Sequence, residues 1–389
     1  MEFLMKRLGW LLSVVAILLL AGCTKRFYLK KADFDKPSPW PLYRYDLGAT
    51  GVIPGPQYAG HLDTLWMRRS GEVPSGPIST LHGYLVIPSL RKRIKFFDLS
   101  NGEYRGQIKL SLESQIGLLA LDSIGFVSIA PPKNTLYGIR LDNQKTLWKV
   151  VVKDAPPGSI LVSNRLIIAS ADGSVLCVNP SDGKTDWHFH VNERFSAPPS
   201  YGDGKLYQPS EKGIVHILSA TDGKELYQMS LKGPIVSAVA VAENAYVGDV
   251  LGNLYCLDPG DGTIRWQTKL AGPIWTTPAV TPTLVIAGHS GGDLIAFDRA
   301  TGRQVWIYSP VEVIKASPIV VGDYVVAGTM GGSLFTLKVS DGSLVARTQL
   351  KSAVARTPVS DGEHVFVVTQ DGRILCLGER HEQSSQSHH

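Results

Sequence analysis

The sequence predicts an all-β fold, an eight-bladed β-propeller of four-stranded antiparallel blades, on three observations. The first is a repeated phrase ending in an aromatic residue: "VNPSDGKTDW" (Val178–Trp187), "LSATDGKELY" (Leu218–Tyr227), "LDPGDGTIRW" (Leu257–Trp266) and "FDRATGRQVW" (Phe297–Trp306). The glycines of this phrase fall at Gly102, Gly183, Gly223, Gly262, Gly302 and Gly342, 39 or 40 residues apart wherever neighbours are present. The second is an independent glycine series at the same period, Gly173, Gly213, Gly252, Gly292, Gly332 and Gly372. The third is the set of short runs between them, rich in Val, Ile, Leu and aromatics and bounded by Gly, Pro, Asp and Asn, which read as strands joined by turns. Four such strands per forty residues describe one propeller blade.

From the N-terminus, Lys6 and Arg7 precede an apolar run, Leu8 to Leu20, followed by Leu20-Ala21-Gly22-Cys23. The run is short for a membrane span and ends in small residues, so residues 1–22 read as a signal peptide. A Cys directly after Leu-Ala-Gly resembles a bacterial lipobox, in which Cys23 becomes the acylated first residue of the mature chain; more than one acyl chain anchors a protein firmly. Thr24, rather than Asp, follows, and the resemblance to bacterial sorting signals implies the outer membrane over the inner. Residues 23–60 are read as a lipidated tether and lead-in. Lys25, Arg26, Lys30, Lys31 and Lys36 there either lie on anionic headgroups or solvate the tether.

Residues 61–378 hold the repeats. The gap of 81 between Gly102 and Gly183 has room for one more unit, "IRLDNQKTLW" (Ile139–Trp148), in which Gln144 takes the glycine place. Counting back from Gly102 reaches Leu62 and the phrase-final Trp66, which makes eight units. In 272–309, "IWTTPAV", "LVIAGHS", "DLIAFD" and "RQVWIYS" are the four strands. Asn179, Asp258, Asp298 and Asp98, four residues before the glycine, can bond the turn backbone, and the glycine supplies the positive φ of the hairpin. The aromatic then lies on the outer strand, facing the next blade. Trp66, Trp148, Trp187, Tyr227, Trp266 and Trp306 are therefore assigned to blade docking, and Gly106 and Ala346 break the pattern. The last unit lacks a fourth strand and Leu62–Arg68 lacks the first three, so the N-terminal strand completes the C-terminal blade and removes an open edge. Residues 379–389 are a polar tail.

Composition restricts function. Lys and Arg number 39 against 34 acids, a net charge of +5 that is modest for this length, with the basic residues largely scattered and almost balanced by acids, which does not suggest nucleic-acid binding. Besides Cys23, the cysteines 177, 256 and 376 sit in apolar strands with no CxxC, as small core residues do. His188-x-His190 places two imidazoles on one strand face without a supporting ligand, so no metal site is assigned. Trp275 and, one blade later, Lys315 lie in channel-lining strands, where they either stack on a flat ligand or fill the channel. Arg91-Lys92-Arg93-Lys95 is a basic hairpin, read as solvated loop or partner surface.

The phrase Asp-x-x-(Thr/Asp)-Gly-x-x-x-Trp resembles the docking motif of pyrroloquinoline-quinone-type (PQQ-type) propellers, and "WPLYRYDLGATG" (Trp40–Gly51) is similar to the segment before their first blade. Within this repeat family the chain looks like the BamB-type outer-membrane assembly lipoproteins. The resemblance implies a non-catalytic, periplasm-facing scaffold without cofactor. Its implied partners are a BamA-like barrel-assembly subunit and unfolded outer-membrane proteins. The alternative is a PQQ-dependent quinoprotein dehydrogenase or a small-ligand-binding propeller. That enzyme needs a catalytic Asp, Ca²⁺ with six to eight oxygen ligands and, in many members, a vicinal Cys pair that this chain lacks.

Overall fold

The computed structural model describes residues 25–36, 38, 44–53, 62–114, 116–129 and 131–379. Among these the chain forms eight antiparallel sheets in a ring, and the sole helical element is a 3-10 turn, Lys31–Asp33. Blades 1 to 7 run in chain order over 79–109, 119–151, 158–190, 200–230, 240–269, 279–308 and 319–349; blade 8 joins 359–378 to the early strand Asp63–Arg69. That strand pairs antiparallel with Arg373–Gly378, placing Trp66 opposite Cys376, and the ring is closed by head meeting tail. In each blade the strands run from the central channel outward.

The inner strands are shorter than the sequence pattern suggests. In blade 6 the expected seven-residue "IWTTPAV" contributes only Ala279–Val280 to the sheet. Pro278 has no N–H for the ladder, Thr277 gives its N–H to the Ser317 hydroxyl of the next blade, and the Thr276 hydroxyl bonds the Gly288 carbonyl. Blade 8 shows the same shortening, to Val359–Ser360.

The core lies between sheets, because each blade is apolar on both faces. The third strand carries a small residue directly across the ladder from the outer-strand indoles: Gly138 opposite Trp148, Cys177 opposite Trp187, Cys256 opposite Trp266, Ala296 opposite Trp306; opposite Tyr227 stands the larger Ile217. A Cβ on Gly138 would stand 2.2 Å from the Trp148 ring. The three buried cysteines thus occupy positions where a small side chain leaves room for an indole. They are free thiols, and desolvation pushes Cys256 up to about 11 and Cys376 up to about 12.

Candidate functional site

The repeated turn is built from its own polar side chain. Asp258 Oδ1 accepts the Gly260 N–H at 2.7 Å and Asn179 Oδ1 that of Ser181 at 2.9 Å, while the turn glycines adopt φ near +70°. The glycine has a second reason to be bare. An added Cβ on Gly183 would lie 2.7 Å from the Trp148 indole of the preceding blade. The same relation joins Trp66 to Gly102, Trp187 to Gly223, Trp266 to Gly302 and Trp306 to Gly342. Tyr227 lies farther from Gly262 and reaches the turn through its hydroxyl, bonded to the Pro259 carbonyl. Three indole N–H groups also donate to the neighbouring turn, Trp148 to Pro180 O (2.7 Å), Trp266 to Arg299 O (3.0 Å) and Trp306 to Val339 O (2.8 Å). Among the described residues, those of Trp66 and Trp187 find no acceptor.

Both breaks in the aromatic series fall where the N-terminal chain intervenes. Ala346 of blade 7 faces blade 8, whose outer strand comes from the N-terminus, so that no hairpin turn connects its third and outer strands there. At Gly106 of blade 1 the missing indole is replaced by Phe27. Its ring stacks on Phe96 at 3.8 Å and 5°, meets Tyr84 edge-on at 5.0 Å, and is 3% exposed. The backbone is stitched in: Phe27 N to Gln107 O (3.0 Å), Gln107 N to Lys25 O (3.1 Å), Leu29 N to Leu141 O (2.9 Å). Gln144, standing where the other turns have glycine, donates its side-chain amide to the Phe27 carbonyl at 2.6 Å. Within the 23–60 stretch, then, residues 25–36 and 44–53 are packed onto the propeller rather than held free in solvent. Phe27 and Gln144 carry no periodic signal, although the simultaneous loss of Trp at 106 and Gly at 144 is visible in the sequence.

The second N-terminal piece runs along the inner edges of successive blades. Carbonyls of Leu47, Gly48, Thr50 and Gly51 accept the N–H groups of Tyr201, Val241, Val280 and Val320, the inner-strand positions of blades 4 to 7, and Val52–Ile53 adds a parallel strand to blade 7. Arg44, 1% exposed, is held by four carbonyls: Ala49 (3.1 Å), Thr50 (3.3 Å), Pro278 (2.9 Å) and Pro318 (2.9 Å). The neighbouring Asp46 carboxyl is pushed up by burial, with its hydrogen bonds from Thr50 acting in the opposite direction. Sequence reasoning missed Arg44. Trp40 and residues 41–43 of the lead-in lie outside the described residues, as do Cys23, the apolar run 8–20 and the tail from 380.

The remaining candidates separate. Lys315 lies over the Trp275 ring at 4.8 Å, at the channel mouth. His188 and His190 are exposed on the outer strand of blade 3 with ring centroids 6.2 Å apart, and His190 Nδ1 is 3.1 Å from the Ser174 hydroxyl. Among the described residues no three His, Cys, Asp or Glu form a group able to hold a metal. The basic hairpin is partly neutralised from within: Arg93 and Lys95 pair with Glu72 at 3.2 and 3.1 Å, leaving Arg91 and Lys92 to solvent. On the same face, made of interblade connections and second-to-third-strand turns, Val73, Leu90, Leu251, Val311 and Val313 are exposed. Val311 is 85% exposed and has φ +60°, a costly conformation for a β-branched residue.

The family model described as "Outer membrane protein assembly factor BamB" matches residues 132–230, 171–250 and 211–388. A curated protein of that name from Escherichia coli (strain K12) is 33% identical over 93 residues, which are 21% of this chain and 24% of the relative; the match thus spans about a quarter of the relative's length. The structure of BamB from Moraxella catarrhalis superposes with a TM-score of 0.72 at 16% identity, covering 82% of this chain and all of that one. A europium-containing methanol dehydrogenase superposes with a TM-score of 0.73 at 10% identity, over 90% and 99% of the two chains, a likeness of fold.

Proposed function

Because the chain belongs to the outer membrane protein assembly factor BamB family, we propose that it is a non-catalytic scaffold of the outer-membrane β-barrel assembly machinery. In this reading Cys23 is acylated after removal of residues 1–22, and the propeller faces the periplasm. It docks to a BamA-like subunit and helps unfolded outer-membrane proteins reach it. The observation that carries the reading is the main chain laid along the inner strands of the channel. The dehydrogenase alternative needs room at the channel for a flat quinone, whereas here main chain from Leu47 to Gly51 bonds the inner strands of four successive blades and Arg44 is engaged with carbonyls. The outer rim and the loop face are what remain for partners. Unpaired outer edges with exposed Val305, Ile307, Leu226 and Leu147 suit capture of extended chains by strand addition, and the exposed Val73, Leu90, Leu251 and Val311 suit docking of a folded domain.

The test is affinity capture from detergent-solubilised envelopes with the full chain. Recovery of a barrel-assembly subunit, lost on Val311→Asp, is expected; its absence overturns the assembly role. Quinone absorbance and dye reduction after adding PQQ and Ca²⁺ to the purified protein would establish the dehydrogenase reading instead. A Cys23→Ala form that still partitions with membranes would refute lipid anchoring.

A further inference from the structure

Among the described residues of the lead-in, only Arg44 lines the part of the channel mouth between blades 6, 7, 8 and 1. That part holds a cavity of 170 Å³ whose wall includes Arg44, Trp275, Lys315 and Arg356, with Ile78 and Val359 as apolar floor. Three cations line it and no carboxylate does. Arg44 is satisfied by its four carbonyls. Lys315 is different: among the described residues its ammonium has no hydrogen bond and no ion pair, and its one interaction is with the Trp275 ring. Arg356 has a single long bond, Nη2 to the Pro74 carbonyl at 3.4 Å, and its burial lowers the guanidinium pKa. A partly buried cation with so weak a partner as Arg356 costs free energy, whereas Lys315 is exposed.

The repeat does not demand these side chains. The phase that holds Trp275 in blade 6 and Lys315 in blade 7 holds Ser196 in blade 4, Val236 in blade 5 and Ala355 in blade 8. Blades close without them, so the large flat and charged residues are additions to the scaffold in adjacent blades, converging on one space.

We propose that this cavity binds a carboxylate carried on a single flat or apolar ring-sized body. Lys315 and Arg356 engage the carboxylate, and Trp275, Ile78 and Val359 cover the body. A guanidinium offers a planar fork matched to a carboxylate, and an indole offers a face for stacking. Size suits a small body: 170 Å³ is close to the roughly 150 Å³ that accommodates one benzene. The body is either a free aromatic acid or the C-terminal residue of a polypeptide.

Isothermal titration of the purified full chain with phenylacetate, its neutral analogue phenylacetamide, inorganic phosphate, and the tripeptide Gly-Gly-Phe as free acid tests this. Phenylacetate is expected to bind, phenylacetamide about tenfold or more weakly, and phosphate not to compete; loss of one charge-assisted bond is worth about tenfold. Lys315→Met, which removes an exposed and unpaired side chain, should weaken phenylacetate about tenfold with an unchanged melting temperature, and Arg356→Met should do so at least as much. Tighter binding of the tripeptide than of phenylacetate identifies a chain terminus as the occupant, and the reverse a free acid. Equal binding of phenylacetate and phenylacetamide, no binding of either acid, or indifference to Lys315→Met overturns the proposal. None of these outcomes touches the assembly role, which is read from captured proteins.

Discussion

The Phe27→Ala substitution examines the slot between blades 1 and 2 most directly. Phe27 is 3% exposed and stacked on Phe96 at 3.8 Å, so truncation removes a buried ring from between two sheets. Phe-to-Ala changes in cores cost about 3–5 kcal/mol, the spread reflecting how far the site collapses. The slot is at the rim and bounded by a peripheral segment, so the lower end, about 3 kcal/mol, applies. That loss falls on the docking of residues 25–29 rather than on the blades, whose strands are paired without it. The open state of the segment should therefore become about 100-fold more populated, since each 1.4 kcal/mol is a factor of about ten. Trypsin reads this population, because Lys25, Arg26, Lys30 and Lys31 are all cleavage sites, and the amides of Phe27 and Leu29 are bonded in the docked state. When reclosing is faster than cutting, the cleavage rate follows the open fraction. Gly106→Trp is the converse perturbation. Even its Cβ would stand 2.9 Å from the Arg26 carbonyl and the Phe27 nitrogen, so it should expel the segment and raise cleavage similarly. A rise of less than tenfold for Phe27→Ala would refute the view that the ring holds the segment in place.

Three further outcomes are expected. Trp148→Phe strands the Pro180 carbonyl whereas Trp187→Phe removes a donor that already lacks an acceptor, so urea denaturation should find the first about 1 kcal/mol more costly; equal costs would remove the indole N–H from the account of docking. Gly183→Ala and Gly204→Ala impose the same positive-φ penalty, but a Cβ at 183 meets the Trp148 ring while at 204 nothing lies within 4 Å, so the former should cost about 1–3 kcal/mol more. The His364 pKa is raised above its ordinary value by its 3.0 Å hydrogen bond to Asp361, against the effect of burial. The stability this contributes is fully present below the unfolded value of about 6.5 and is lost as pH rises through the raised folded value. NMR titration should place the midpoint above that of free histidine, Asp361→Asn should bring it down, and the stability difference between the two proteins should shrink from pH 6 to pH 8.

The ring itself was legible because its signals are local and repeated. A turn glycine and an outer-strand Trp recur every forty residues, and the surplus fourth strand at Asp63–Arg69 matches the deficit after Gly378. Strand lengths near the axis were not legible, because "IWTTPAV" has strand composition but its Thr277 N–H bonds the next blade, its Thr276 hydroxyl bonds Gly288 O within the blade, and Pro278 has no N–H to give the ladder. The basic hairpin was only half readable: Glu72, which neutralises Arg93 and Lys95, is some twenty residues away and meets them only through the sheet. Arg44 and Phe27 act once each, at contacts hundreds of residues or several strands distant, and one occurrence leaves no period. The reach from Arg44 to Pro278 and Pro318 is set by ring closure, which no window of sequence contains.

The two failures of the Trp series connect these scales. A repeat that decays at random would lose its indole anywhere, and the vacated space would be filled by enlarged neighbours. Here the partner changes at both ends of the contact: Trp gives way to Gly106, and the receiving glycine gives way to Gln144, which holds the incoming Phe27 by its carbonyl. Gln144 takes φ +60°, a conformation that favours glycine, so that turn tolerates strain that its counterparts avoid. The segment that enters there begins two residues after Cys23. If Cys23 bears the lipid, as proposed, the anchor lies two residues before a segment docked at the seam of blades 1 and 2, and that docking restricts how the propeller is presented to the membrane. Expelling residues 25–29 with Gly106→Trp should then weaken partner capture from membranes while leaving the purified propeller folded. Capture undiminished in that variant would mean that docking the segment does not serve to aim the ring.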